Sequence, residues 1–265
     1  MLAAFHTCFN LVNTGILIWF IPQIEKLVCR VIKSKVSEEE EESRLHYIQS
    51  GIIKTPEIAV LQAQKEIGVF GIRMQRMFGM AQELLEEKNT EKFTKLYSRI
   101  EKYEGISDNM EIEIARYLEQ VGDAHLSDET KWKIRQMLRQ ISELESIGDA
   151  CFNLARTMNR RMLSNQNFTA HQYEELRSIM KLVDDSLTQM NHTLSGRREE
   201  QDINETFRIE NDINETRNRL KNDNIQAIND HQYDYAIGTM YTDLVGECEK
   251  LGDYVVNVVE ARLGR

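Results

Sequence analysis

From residue 57 to residue 265 the chain contains no proline; its only two are Pro22 and Pro56. Proline removes a backbone donor and clashes with the preceding helical turn. So long a stretch without it is suited to uninterrupted helices. Apolar residues recur there at the helical period: Met137, Ile141, Leu144, Cys151, Leu154 and Met158 form one stripe. Six helices are expected, at about 57–88, 91–120, 128–163, 170–196, 199–228 and 231–263. Their starts carry helix signals. Thr55, Pro56 and Glu57 stand in the order of cap, first helical residue and acidic first turn. Ser127 precedes Asp128 and Glu129, and Thr169 with Gln172 makes a T-x-x-Q capping box. Gly122 closes the second helix. Short connections make neighbours antiparallel. The expectation is an all-α protein with two three-helix units, over 57–165 and 166–265.

The third and sixth of these helices are copies. Glu145, Gly148, Asp149 and Asn153 recur in register as Glu249, Gly252, Asp253 and Asn257. Spacing of i, i+4 and i+8 sets Glu145, Asp149 and Asn153 on one side of a helix. The second helix adds Glu104 and Asp108 at i, i+4. Its counterpart in the second half offers Glu210, but Asn214 stands where a second acid would be. Antiparallel packing can bring Glu104 and Asp108 against Glu145 and Asp149. Four converging carboxylates cannot all stay ionised without a counter-charge. Oxygen-only ligands suit a hard cation, divalent or trivalent. The candidate metal residues are therefore Glu104, Asp108, Glu145 and Asp149, then Glu210, Glu249 and Asp253, with weaker binding expected in the second set. The same spacing also describes a solvated polar face, and a glycine inside a helix also serves close packing.

Before the helical part, residues 3–21 carry no formal charge, about the length of a membrane span. Lys26, Arg30, Lys33 and Lys35 follow, which puts the rest of the chain in the cytoplasm by the positive-inside rule. Residues 1–32 are thus expected to be a membrane helix with its juxtamembrane end. His6, Asn10, Asn13 and Thr14 form a polar stripe on it, suited to facing other helices rather than lipid. The chain supplies no second span for that stripe. The expected partners are the membrane and the upstream helices of a longer membrane protein, or a second copy of the chain. Residues 33–56 read as a charged linker, with five consecutive glutamates at 38–42.

A net charge of −10 without a basic stripe excludes a nucleic-acid partner. Cys8, Cys29, Cys151 and Cys248 form no CxxC, and the last two fall inside helical stripes as small apolar residues. No phosphate-binding glycine loop, nucleophile elbow or H-E-x-x-H is present, so no enzyme is expected.

The repeated I/L-G-D-x-x-x-N core, with Glu104/Asp108, Glu145/Asp149 and Glu249/Asp253 on paired helices, resembles PhoU, the phosphate-uptake regulator. The likeness covers about residues 58–262, and Asn214 departs from it. It implies a PhoU-like fold of two antiparallel three-helix bundles whose E/D-x-x-x-D motifs bind metal clusters. The stretch AAFHTCFNLVNTGILIWFIP, above all F-H-T-x-F-N, is similar to the last spanning segment of bacterial sodium/phosphate cotransporters. Those often carry a PhoU-like cytoplasmic domain. Together the two likenesses imply the C-terminal part of a longer transporter at the inner (plasma) membrane, partnered by upstream transporter helices or a partner transporter subunit, with residues after about 30 in the cytoplasm sensing or relaying phosphate status. The competing reading is a membrane-tethered helical interaction scaffold without metal.

Overall fold

The computed structural model describes His6, Phe9 and residues 45–48, 55–122, 126–196 and 203–264. Leu45–Arg265 forms one compact unit. Its helices are α1 (Pro56–Glu86), α2 (Thr90–Gly122), α3 (Asp128–Leu163), α4 (Ala170–Ser195), α5 (Asn204–Asn229) and α6 (Tyr235–Leu263). No strand occurs among the described residues. Helices α1, α2 and α3 contact one another, as do α4, α5 and α6, and the two sets join through α1 on α4 and α3 on α6. The all-α fold of two three-helix bundles is as expected.

The local signals explain the boundaries. Ser127 accepts the Thr130 amide at 3.2 Å, and Thr169 with Gln172 forms a complete capping box. Thr55 holds the cap position without a side-chain bond, so Pro56 alone sets the start of α1. Helices α5 and α6 begin at Asn204 and Tyr235, a few residues later than expected. A tight turn with His231 in the left-handed region, φ 55°, separates them.

The whole α3 stripe is buried, as are Met74, Met77 and Met80 on α1. Part of the expected linker belongs to this body. The amides of His46 and Tyr47 donate to the buried Glu66 carboxylate at 2.9 and 2.6 Å, and Leu45 and Ile48 pack on the core. Composition groups Leu45 and Ile48 with the glutamate run beside them; their removal from water decides otherwise.

The expected membrane segment, with Asn10, Asn13 and Thr14, lies outside the described residues. His6 is described and exposed. Among the described residues no helix is long and apolar enough to cross a membrane.

Candidate metal centre

Two glycines set how closely the acid-bearing helices approach. A Cβ on Gly148 would lie 2.7 Å from Ser107 Oγ and 3.2 Å from Met74 Sδ, so α3 meets α2 and α1 there with no room for a side chain. Ser107 is the residue just before Asp108. A Cβ on Gly252 would meet Ile213 Cδ1 at 3.1 Å, and Ile213 is the residue just before Asn214. The repeat is therefore visible in packing: each glycine seats the neighbour of an acid position on the facing helix.

That contact delivers the acids of the first bundle to one place. One carboxylate oxygen each from Glu104, Asp108 and Asp149 lie within 4.8 Å of one another. All three rest at the edge of solvent, Asp149 the most exposed. Partial burial, then Asp108, Asp149 and Glu101, hold the Glu104 carboxyl above its ordinary range. Burial and Asp108 do the same to Asp149. In both cases burial is the largest influence and neighbouring carboxylates the next.

Glu145 stands beside this trio without joining it. Burial, Asp149, Glu111 and Asp108 push its carboxyl up to about 7, against the opposing Ser146 hydroxyl bond. Glu101 and Glu111 fall outside the set expected from sequence. Glu111 follows Glu104 and Asp108 at i+7 and i+3, so it continues their helix face.

Glu210, Glu249 and Asp253 of the second bundle do not converge as that trio does, and an arginine stands among them. The Arg217 guanidinium donates to Glu249 Oε1 at 2.7 Å through Nη2, which also reaches Asn214 Oδ1 at 3.4 Å. Asn214 Nδ2 donates to Glu210 Oε1. Burial, Asp253 and Glu249 raise Glu210, and burial with Glu249 raises Asp253 against the lowering effect of Arg217. Arg217 occupies the repeat position of Glu111, just as Glu210 matches Glu104 and Asn214 matches Asp108. One position of the repeat thus carries opposite charge in the two halves. In the first half a glutamate faces Glu145, and in the second an arginine faces Glu249. Arg217 lies seven residues after Glu210, a spacing that sets it on this face of the helix.

The last repeated residue splits too. Asn257 donates to Glu143 Oε2 at 3.0 Å, across the seam of α3 and α6. Arg139 and Glu260 add an ion pair at 3.4 Å along the same seam.

Residues 72–158, from mid-α1 through α3, match the family model described as the PhoU domain. They hold Glu104, Asp108, Glu145 and Asp149. No curated protein matches the chain in sequence. Two solved structures share the fold. The phosphate transport system regulatory protein PhoU from Streptococcus pneumoniae superimposes with a TM-score of 0.65 at 16% identity, covering 78% of this chain and 95% of that one. PhoU from Pseudomonas aeruginosa gives a TM-score of 0.69 at 14% identity, covering 77% and 96%. This chain therefore shares the PhoU fold, and its residues 72–158 match the PhoU domain model.

Proposed function

We propose that the chain is a membrane-tethered, cytoplasmic PhoU-like regulator of a sodium-dependent phosphate transporter, and not an enzyme. The PhoU domain and fold support the regulatory part, and the S. pneumoniae relative is itself a phosphate-transport regulator by name. The charge-free segment at residues 3–21 and the basic residues after it support the tether.

The Glu104, Asp108 and Asp149 trio is the observation that carries a metal-stabilised version of this reading. Its donor set is all carboxylate, its oxygens are close together, and burial with neighbouring acids raises Glu104 and Asp149. These residues fit a hard divalent or trivalent cation. Bound there, the ion would supply positive charge that ties α2 to α3; Glu145 and Glu111 would lie beside it. The second set fits less well, because Arg217 already provides the charge. Metal analysis of the purified protein should find bound ion in the wild type and a clear loss in Asp149→Ala. Equal content in both removes the site. For the regulatory role, sodium-dependent phosphate uptake in cells should change when the chain is deleted; uptake indifferent to it removes that reading.

A second reading has its own support. Arg217 shows that this fold can hold such a cluster with a side chain alone, which favours a metal-free interaction scaffold. Melting unaffected by a chelator, with intact partner binding, would select it.

A further inference from the structure

Arg161, in the last turn of α3, is 5% exposed. A buried guanidinium ordinarily meets a carboxylate, because burying an unpaired charge costs several kcal/mol. Arg161 meets none among the described residues. Both of its hydrogen bonds leave from Nη1, one to Asn167 Oδ1 at 3.3 Å and one to the Tyr173 hydroxyl, both neutral acceptors. Nε is sealed from solvent without a partner. The rings of Phe168 and Tyr173 lie 5.4 and 5.7 Å from the guanidinium carbon. Those rings and the negative end of α3 offset only part of a full charge.

The same side chain lines a cleft of about 770 Å³ between the α1–α2 turn and the α3–α4 loop. That volume lies in the range of small-molecule sites, about 300–1,000 Å³. Two acids share the lining, and both are engaged. Glu86 takes the fork of Arg177 at 2.7 and 3.2 Å, and Glu87 accepts the Asn89 amide at 2.7 Å. Exposed Lys88, on the same wall, has no carboxylate partner among the described residues. Arg161 and Lys88 thus line one cavity without a carboxylate partner of their own among the described residues, with the Asn165, Gln166 and Asn167 loop beside them.

We infer that this cleft binds a small molecule through its phosphate or carboxylate group, with Arg161 as the buried anchor and Lys88 at the rim. The site is separate from the acid clusters and independent of whether they hold metal. A charge-assisted pair to the ligand supplies the counter-ion that the fold omits.

Calorimetric titration of the full chain at fixed ionic strength tests this, with inorganic phosphate, adenosine monophosphate and citrate as probes and chloride as the control. At least one probe should bind. Lys88→Gln, on the surface and safe for folding, should weaken it about fivefold, the modest effect of a rim charge. Arg161→Lys keeps the charge but loses the fork, and should weaken it about tenfold or more. Tighter binding of the nucleotide than of phosphate assigns an organic phosphate; the reverse assigns the free ion; citrate alone assigns a carboxylate. If no probe exceeds chloride, or Lys88→Gln binds as tightly as wild type, Arg161 serves only the end of α3 and the inference falls.

Discussion

Gly148 shows what one residue decides here. Alanine in its place would drive a methyl group into Ser107, whose hydroxyl would lie 2.7 Å away. Overpacking of this kind costs about 1–3 kcal/mol. At Gly105, two residues before Ser107 and so turned away from that contact, an added methyl would meet nothing within 4 Å, so Gly105→Ala should gain up to about 1 kcal/mol of helix propensity. Urea denaturation of the two variants should therefore move the midpoint in opposite directions. Glu145 supplies the second residue-scale prediction. Its carboxyl titrates near 7 in the folded protein and near the ordinary 4.5 when unfolded. Between those values the folded state binds more protons than the unfolded one, so metal-free stability falls as pH rises from about 4.5 to 7. Above 7 the loss is complete. Glu145→Gln should flatten that slope and stabilise the protein at pH 8, by on the order of 1 kcal/mol after solvent screening.

At the scale of helices, the facing pairs α2/α3 and α5/α6 are one device with a single charge reversed. Glu111 adds to the repulsion around Glu145, whereas Arg217 bonds to Glu249 at 2.7 Å. Exchanging these roles is a direct test. Glu111→Arg should relieve the first cluster, stabilise the metal-free protein and abolish any bound ion. Arg217→Glu should leave Glu210, Glu249 and Asp253 without a counter-charge and cost about 1–3 kcal/mol, within the range for half-buried charge left unpaired. The two clusters share no residue, so a variant carrying both changes should show the sum of the single effects. Melting curves with and without chelator read all three. The i, i+4, i+7 spacing puts Glu111 and Arg217 on the acid faces in the sequence itself. Matching the two copies residue by residue conceals them, because they stand at the position where the copies differ.

Across the whole molecule, α3 and α6 form the seam that unites the bundles, and Cys151 and Cys248 are fully buried within their helices. Burial pushes the Cys248 thiol up to about 12 and Cys151 higher still. Thiolate is the reactive form, so neither should react with an alkylating reagent in the native protein at pH 8. Mapping of labelled peptides should find both modified only after denaturant is added. Labelling at native conditions would mean that the seam opens.

Helix number, order and most boundaries followed from local chemistry that the sequence carries in full. Proline is absent after Pro56, apolar residues recur at the helical period, and Ser127 and Thr169 cap as written. The repeat and the acid faces were legible for the same reason, since position along a helix fixes direction around it. Convergence was not. Which of Glu104, Asp108, Glu145 and Asp149 share a point depends on the rotation and separation of α2 and α3, set by Ser107 against Gly148. Whether Arg217 quenches a cluster, and whether Arg161 is buried without an anion, depends on residues distant in the chain. Local propensity determines the rods; only their packing in three dimensions determines which charges meet and which are left facing an open cleft.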